Sequence, residues 1–147
     1  MEKSVILSIR GQQTLEDNSK PEVIELVTEG TLSVDEGGKY TVRYQESELT
    51  GLEGTLTTIQ VEPERVTMMR TGQVNTQMVF QEGRRHLSMY ETPYGSMSVG
   101  INTRRVKNTI SETGGDLEID YAIEIDNLMV GRNYFSMNVK RDTALKQ

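Results

Sequence analysis

Residues 84–110 read RRHLSMYETPYGSMSVGINTRRVKNTI, and the reading of this stretch decides the fold. At its centre, Glu91-Thr92-Pro93-Tyr94-Gly95 has a proline to preset φ near −65° and a glycine to take a positive φ. Before the turn Leu87 and Met89 alternate with Ser88 and Tyr90. After it Met97, Val99 and Ile101 alternate with Ser98, Gly100 and Asn102. Two period-2 runs around a turn make a β-hairpin. Leu87 and Met89 are read as its inner face, and Gly100 marks the place for a bulge or a barrel corner in the long second arm.

Composition extends the hairpin to the whole chain. Thirteen valines, nine isoleucines and sixteen threonines stand against two alanines, and β-branched residues suit pleated surfaces. The 147 residues suffice for one domain with a real core. Cysteine is absent, which removes disulfides, thiolate metal sites and a cysteine nucleophile, and fits a reducing cytoplasm. Apolar runs are too short for a transmembrane helix, and the first residues lack the pattern of a signal peptide. A net charge of −6 argues against general nucleic-acid binding. The basic run Arg104-Arg105-Val106-Lys107 is read as a solvated strand face.

Working outward, strands are expected at 4–10, 22–34, from Tyr40 through Tyr44, at 55–62, 65–71 and 77–80, then the hairpin, 117–125 and 134–141. Polar loops are expected at 11–21, 46–54 and 126–133, the last with room for one helical turn at 128–130. The strand at 117–125 has the strictest alternation: Leu117, Ile119, Tyr121, Ile123 and Ile125 inside, and Glu118, Asp120 and Glu124 outside. About ten antiparallel strands at this spacing, with short turns and no internal repeat, predict an all-β fold, a closed or nearly closed up-and-down barrel; a two-sheet sandwich is the alternative.

Several motifs add a family. The run Gly54-Thr55-x-Thr57-Thr58, then Arg70-x-Gly72, Met78-x-Phe80, Thr92-Pro93-Tyr94-Gly95, Thr103 and Ile119-x-Tyr121 resembles the YwiB-like family of small bacterial proteins over essentially the whole chain. That resemblance implies a lipocalin-like, calycin-type β-barrel of no established biochemical function. Calycins in general imply a lumen able to hold a small apolar molecule. The chain has no tryptophan, so the Gly-x-Trp opening of secreted lipocalins is missing, which counts against a retinoid-type transport role.

Candidate chemistry is sparse. His86 is the only histidine, is read as outward or merely hydrogen-bonded, and cannot make an ordinary zinc site alone. Glu46, Glu48 and Glu53 are read as a solvated acidic loop without calcium-loop spacing. Arg70 shares a strand face with Val66 and Met68, so an inward face would put a guanidinium at one end of an apolar lumen. It would then be a charge partner for a ligand's acidic head, or a structural plug bonded to carbonyls or an acidic side chain. Tyr44, Tyr90 and Tyr121 are the candidate hydroxyls around it. Met68 and Met97 are candidate lining residues, with Met78 and Met89 also near the proposed interior. Neither a metal site nor a cofactor loop is expected, and the chain is read as non-enzymatic. Two functions stay open: a module binding a small amphipathic or acidic ligand, or an interaction protein with a filled barrel that works through its surface, for instance as a homodimer.

Overall fold

The computed structural model describes residues 2–15, 20–47, 52–72, 75–125 and 128–142. Ten strands follow one another: β1 (Glu2–Leu15), β2 (Glu22–Val34), β3 (Tyr40–Gln45), β4 (Leu56–Val61), β5 (Val66–Thr71), β6 (Asn75–Phe80), β7 (Arg85–Thr92), β8 (Gly95–Asn108), β9 (Gly114–Ile125) and β10 (Leu128–Arg141). Each pairs antiparallel with its sequence neighbour, and β1 pairs with β10 to close the barrel. Closure settles the choice between barrel and sandwich, because it leaves no sheet edge.

Two expected loops are strand in part. The ladder between β1 and β10 runs from Val5↔Arg141 to Leu15↔Gly131, so residues 11–15 and 131–133 are paired there, while Leu128 and Met129 pair with Ile125 and Glu124 of β9. The helical turn expected at 128–130 is therefore absent. Its place is taken by an irregularity in the β9–β10 register between Met129 and Gly131. The bulge of β8 lies between Thr103 and Arg105, not at Gly100. Gly100 has another role: a side chain there would collide with Arg85, which crosses it to reach Glu124 at 2.9 Å.

The turn after Thr92 is as read, with Gly95 at φ 131°. The inner face of β7 is not. The register sets Ser88 opposite Val99 and His86 opposite Ile101, and both of those β8 residues are buried. Ser88 and Tyr90 therefore point inward, while Leu87 (68 % exposed) and Met89 (53 %) stand on the outer wall. His86 shares the inward phase and is half-buried, held by Gln81 at 3.1 Å. On β9, Leu117, Ile119 and Tyr121 are buried and Ile123 and Ile125 pack against them. The acids between are half-buried on the outer face, covered in part by partners such as Tyr134 on Glu118 and Arg85 on Glu124.

The interior has two unequal halves. Val5, Leu7, Leu32, Val42, Ile59, Val61, Val66, Met68, Phe80, Ile101, Leu117, Ile119, Met137 and Val139 pack one half solid. A ten-stranded barrel is wider than the eight-stranded kind that side chains just fill, so the filled half needs large residues such as Phe80, Met68 and Met137. At the other half the inward positions include Gly11, and a Cβ built there meets nothing within 4 Å.

Candidate functional site

The second half of the lumen holds a cavity of about 330 Å³, partly open to solvent. Its walls come from the end of β1, the start of β2, the ends of β3, β5, β7 and β9, and the start of β10. Ile9, Ile24, Leu26, Leu52, Ile123 and Phe135 give it apolar sides, and Met78 joins them. The polar lining is Tyr44, Glu46, Arg70, Tyr90, Tyr121 and Asn133, with Gln12, Gln13 and Glu22 nearer the β1–β2 end.

One ion pair anchors the polar group. Arg70 Nε lies 3.8 Å from Glu46 Oε2, with the arginine side chain 18 % exposed and the glutamate 2 %. Glu46 is thus no solvated loop acid. Its backbone N–H donates to the Thr55 carbonyl at 2.9 Å, and the Thr57 hydroxyl donates to its carboxylate at 2.5 Å. A buried charge requires a partner and hydrogen bonds, and Glu46 has both. Glu48 lies outside the described residues, and Glu53 is exposed. Among the described residues, no group of three or more His, Asp or Glu could hold a metal ion.

The phenols respond to this environment. Burial and then the Glu46 charge push the Tyr44 pKa far above its ordinary value, against smaller opposing effects of Arg70 and Thr57. Burial also pushes Tyr121 up, although Asn133 Nδ2 donates to its hydroxyl at 3.2 Å and Arg70 lies nearby. Both remain neutral hydrogen-bonding groups at ordinary pH. The Tyr90 hydroxyl has only the Met78 sulfur, at 3.7 Å, a weak acceptor. Among the described residues, two buried polar atoms of the lining side chains lack a hydrogen-bond partner: Arg70 Nε and Asn133 Oδ1.

The family model described as a domain of unknown function, DUF1934, matches residues 7–137. The chain belongs to the DUF1934 family. It is similar to the uncharacterized beta-barrel protein YwiB of Bacillus subtilis (strain 168), at 24 % identity over 125 residues, covering 85 % of this chain and 86 % of the relative. The crystal structure of the Bacillus subtilis ywiB protein superposes with a TM-score of 0.84 at 22 % identity, covering 97 % of this chain and 94 % of that one. That likeness establishes the closed-barrel fold.

In this DUF1934 barrel the first of the motifs surrounds the ion pair. Thr55 and Thr57 form the seat of Glu46, and Thr57 is the register partner of Arg70. Gly72 packs so closely that a Cβ would lie 2.3 Å from the Gly54 carbonyl oxygen. Met78 lines the cavity, and Phe80 meets Tyr121 ring to ring at 4.7 Å and 58°.

Of the residues singled out in the sequence, Arg70, Tyr44, Tyr90 and Tyr121 line the cavity together. Met68 does not; it is buried in the packed half. Met97, at 44 % exposure, is also outside the lining, and Met89 is on the outer wall. Glu46 and Asn133 were missed, the first because acids around glycines look like loop. Asn133 had a readable signal: it continues the alternation of Phe135, Met137 and Val139 by one step.

Proposed function

We propose that this protein binds a small amphipathic molecule in the open half of its barrel and performs no chemistry on it. The observation that carries the reading is the division of the lumen, one half packed and the other a cavity of about 330 Å³. Ligand pockets span roughly 300–1,000 Å³, with mainly apolar walls and a few placed polar groups. This cavity is at the small end of that range, with apolar sides and a polar group gathered around Arg70 and Glu46. Binding without catalysis is supported by the state of the phenols, since raised pKa values leave Tyr44 and Tyr121 as hydrogen-bonding groups, not bases or nucleophiles. A cytoplasmic setting goes with the reading and is supported by a chain free of cysteine.

Native mass spectrometry of the protein purified without denaturation tests it, beside the variant Gly11→Trp. Gly11 lines the cavity and its Cβ position faces open space, so an indole there fills the site from within. The expected result is a small-molecule adduct on the wild type that the variant lacks. Bare chain in both, with no saturable uptake of an apolar fluorescent probe by the wild type, would refute the proposal.

A second reading, homodimerisation, is favoured by the outer wall, where Leu87 and Met89 are exposed beside the half-buried Met69 and Val79. The same spectra separate it, since a dimer doubles the mass and should dissociate in Leu87→Glu.

A further inference from the structure

We infer that the head group this cavity accepts is polar but uncharged, a carboxamide or an alcohol, and neither a carboxylate nor an amine. The inference rests on the binding reading above and adds the ligand's chemical class. The charges around the cavity already cancel at its inner end. Arg70 is the cation there and Glu46 the anion, 3.8 Å apart, with Glu46 almost wholly out of water. Glu22, the other acid of the lining, is exposed near the mouth and adds negative charge only. A carboxylate would have to leave water to meet a guanidinium whose charge is already compensated. An ammonium would find Glu46 compensated by Arg70 and bonded by Thr57. Taking either ion out of water is costly unless a free opposite charge meets it.

What the lining does offer is unused hydrogen-bonding capacity. Among the described residues, Arg70 Nε–H has no hydrogen-bond acceptor and the Asn133 side-chain oxygen no donor, and both atoms lie just beneath the cavity surface. Tyr90 spends its hydroxyl on a thioether sulfur. A buried donor or acceptor left unpaired bears its desolvation cost in full, so a head group that supplies both complements relieves both. A carboxamide has a carbonyl for the arginine N–H and an N–H for the asparagine oxygen. An alcohol can donate to one and accept from the other. Size sets the length of the ligand: at a water's share of about 30 Å³, the cavity holds roughly eleven non-hydrogen atoms.

Octanamide therefore fits in both size and head, and the test compares it with octan-1-ol, octanoate and octylamine. Each is titrated into the wild-type protein by calorimetry at neutral pH, and into Glu46→Gln. The expected result is that octanamide binds the wild type at least about tenfold more tightly than octanoate or octylamine. In Glu46→Gln, which frees the Arg70 charge, octanoate should gain at least about tenfold relative to octanamide. If that variant fails to fold, the wild-type ranking decides alone. Octanoate or octylamine binding the wild type as tightly as octanamide overturns the head-group inference and leaves the binding function standing. No binding by any of the four overturns both.

Discussion

Replacing Arg70 by methionine keeps an unbranched stem as far as the ε position and removes the guanidinium end with its charge and donors. At 3.8 Å and an effective dielectric of about 20, the attraction to Glu46 is about 4 kcal/mol. The variant loses that attraction and leaves a carboxylate with a 2 % exposed side chain without its cation. Breaking a buried pair from one side costs about 3–5 kcal/mol. Glu46 keeps the Thr57 hydroxyl, so the low end, about 3 kcal/mol, is expected. With a urea m-value of about 2 kcal/mol/M, the unfolding midpoint falls by about 1.5 M. Circular dichroism through a urea series measures it, together with Glu46→Gln and the double variant. The double variant should recover most of the loss, because neither charge is then buried alone. An Arg70→Met protein within about 0.5 kcal/mol of wild type would refute the reasoning, since that is how a solvated surface pair behaves. A double variant as unstable as the single would instead assign the loss to packing.

Two further outcomes are expected. Gly95→Val should lower the urea midpoint more than Ser96→Val, by about 1 kcal/mol or more, because a β-branched residue is strained at the φ of 131° found there; equal midpoints would count against the turn geometry. Tyr44 and Tyr121 have pKa values raised above the ordinary value near 10, so the unfolded chain releases those protons first. Their contribution to stability is complete below about pH 10 and is lost as pH rises beyond it. Ultraviolet tyrosine titration followed beside circular dichroism should therefore show the last phenols ionising only as the fold is lost, and full ionisation of a still-folded barrel would sink the idea.

The sequence by itself determined the middle of each strand and the hairpin turn. Alternation along Leu117–Ile125 leaves one register in which the apolar set is buried, and a positive-φ glycine marks the hairpin turn. It also put Arg70 on one face of its strand with Val66 and Met68, and of the three it is Arg70 that lines the cavity. What it could not determine was the face of a strand with apolar residues in both phases. Leu87 and Met89 compete with Tyr90 on β7, and only pairing with Val99 and Ile101 sends Leu87 and Met89 outward. The far ends of β1 and β10 were illegible for a related reason. Gln12, Gln13 and Asn133 line a cavity, so nothing requires them to be apolar, and the strands are held there by ladder hydrogen bonds between them. Glu46 needed the tertiary structure most of all. A carboxylate next to a glycine-containing loop reads as solvated, and only the barrel brings β3, β4 and β5 together so that Thr57 and Arg70 make its burial tolerable.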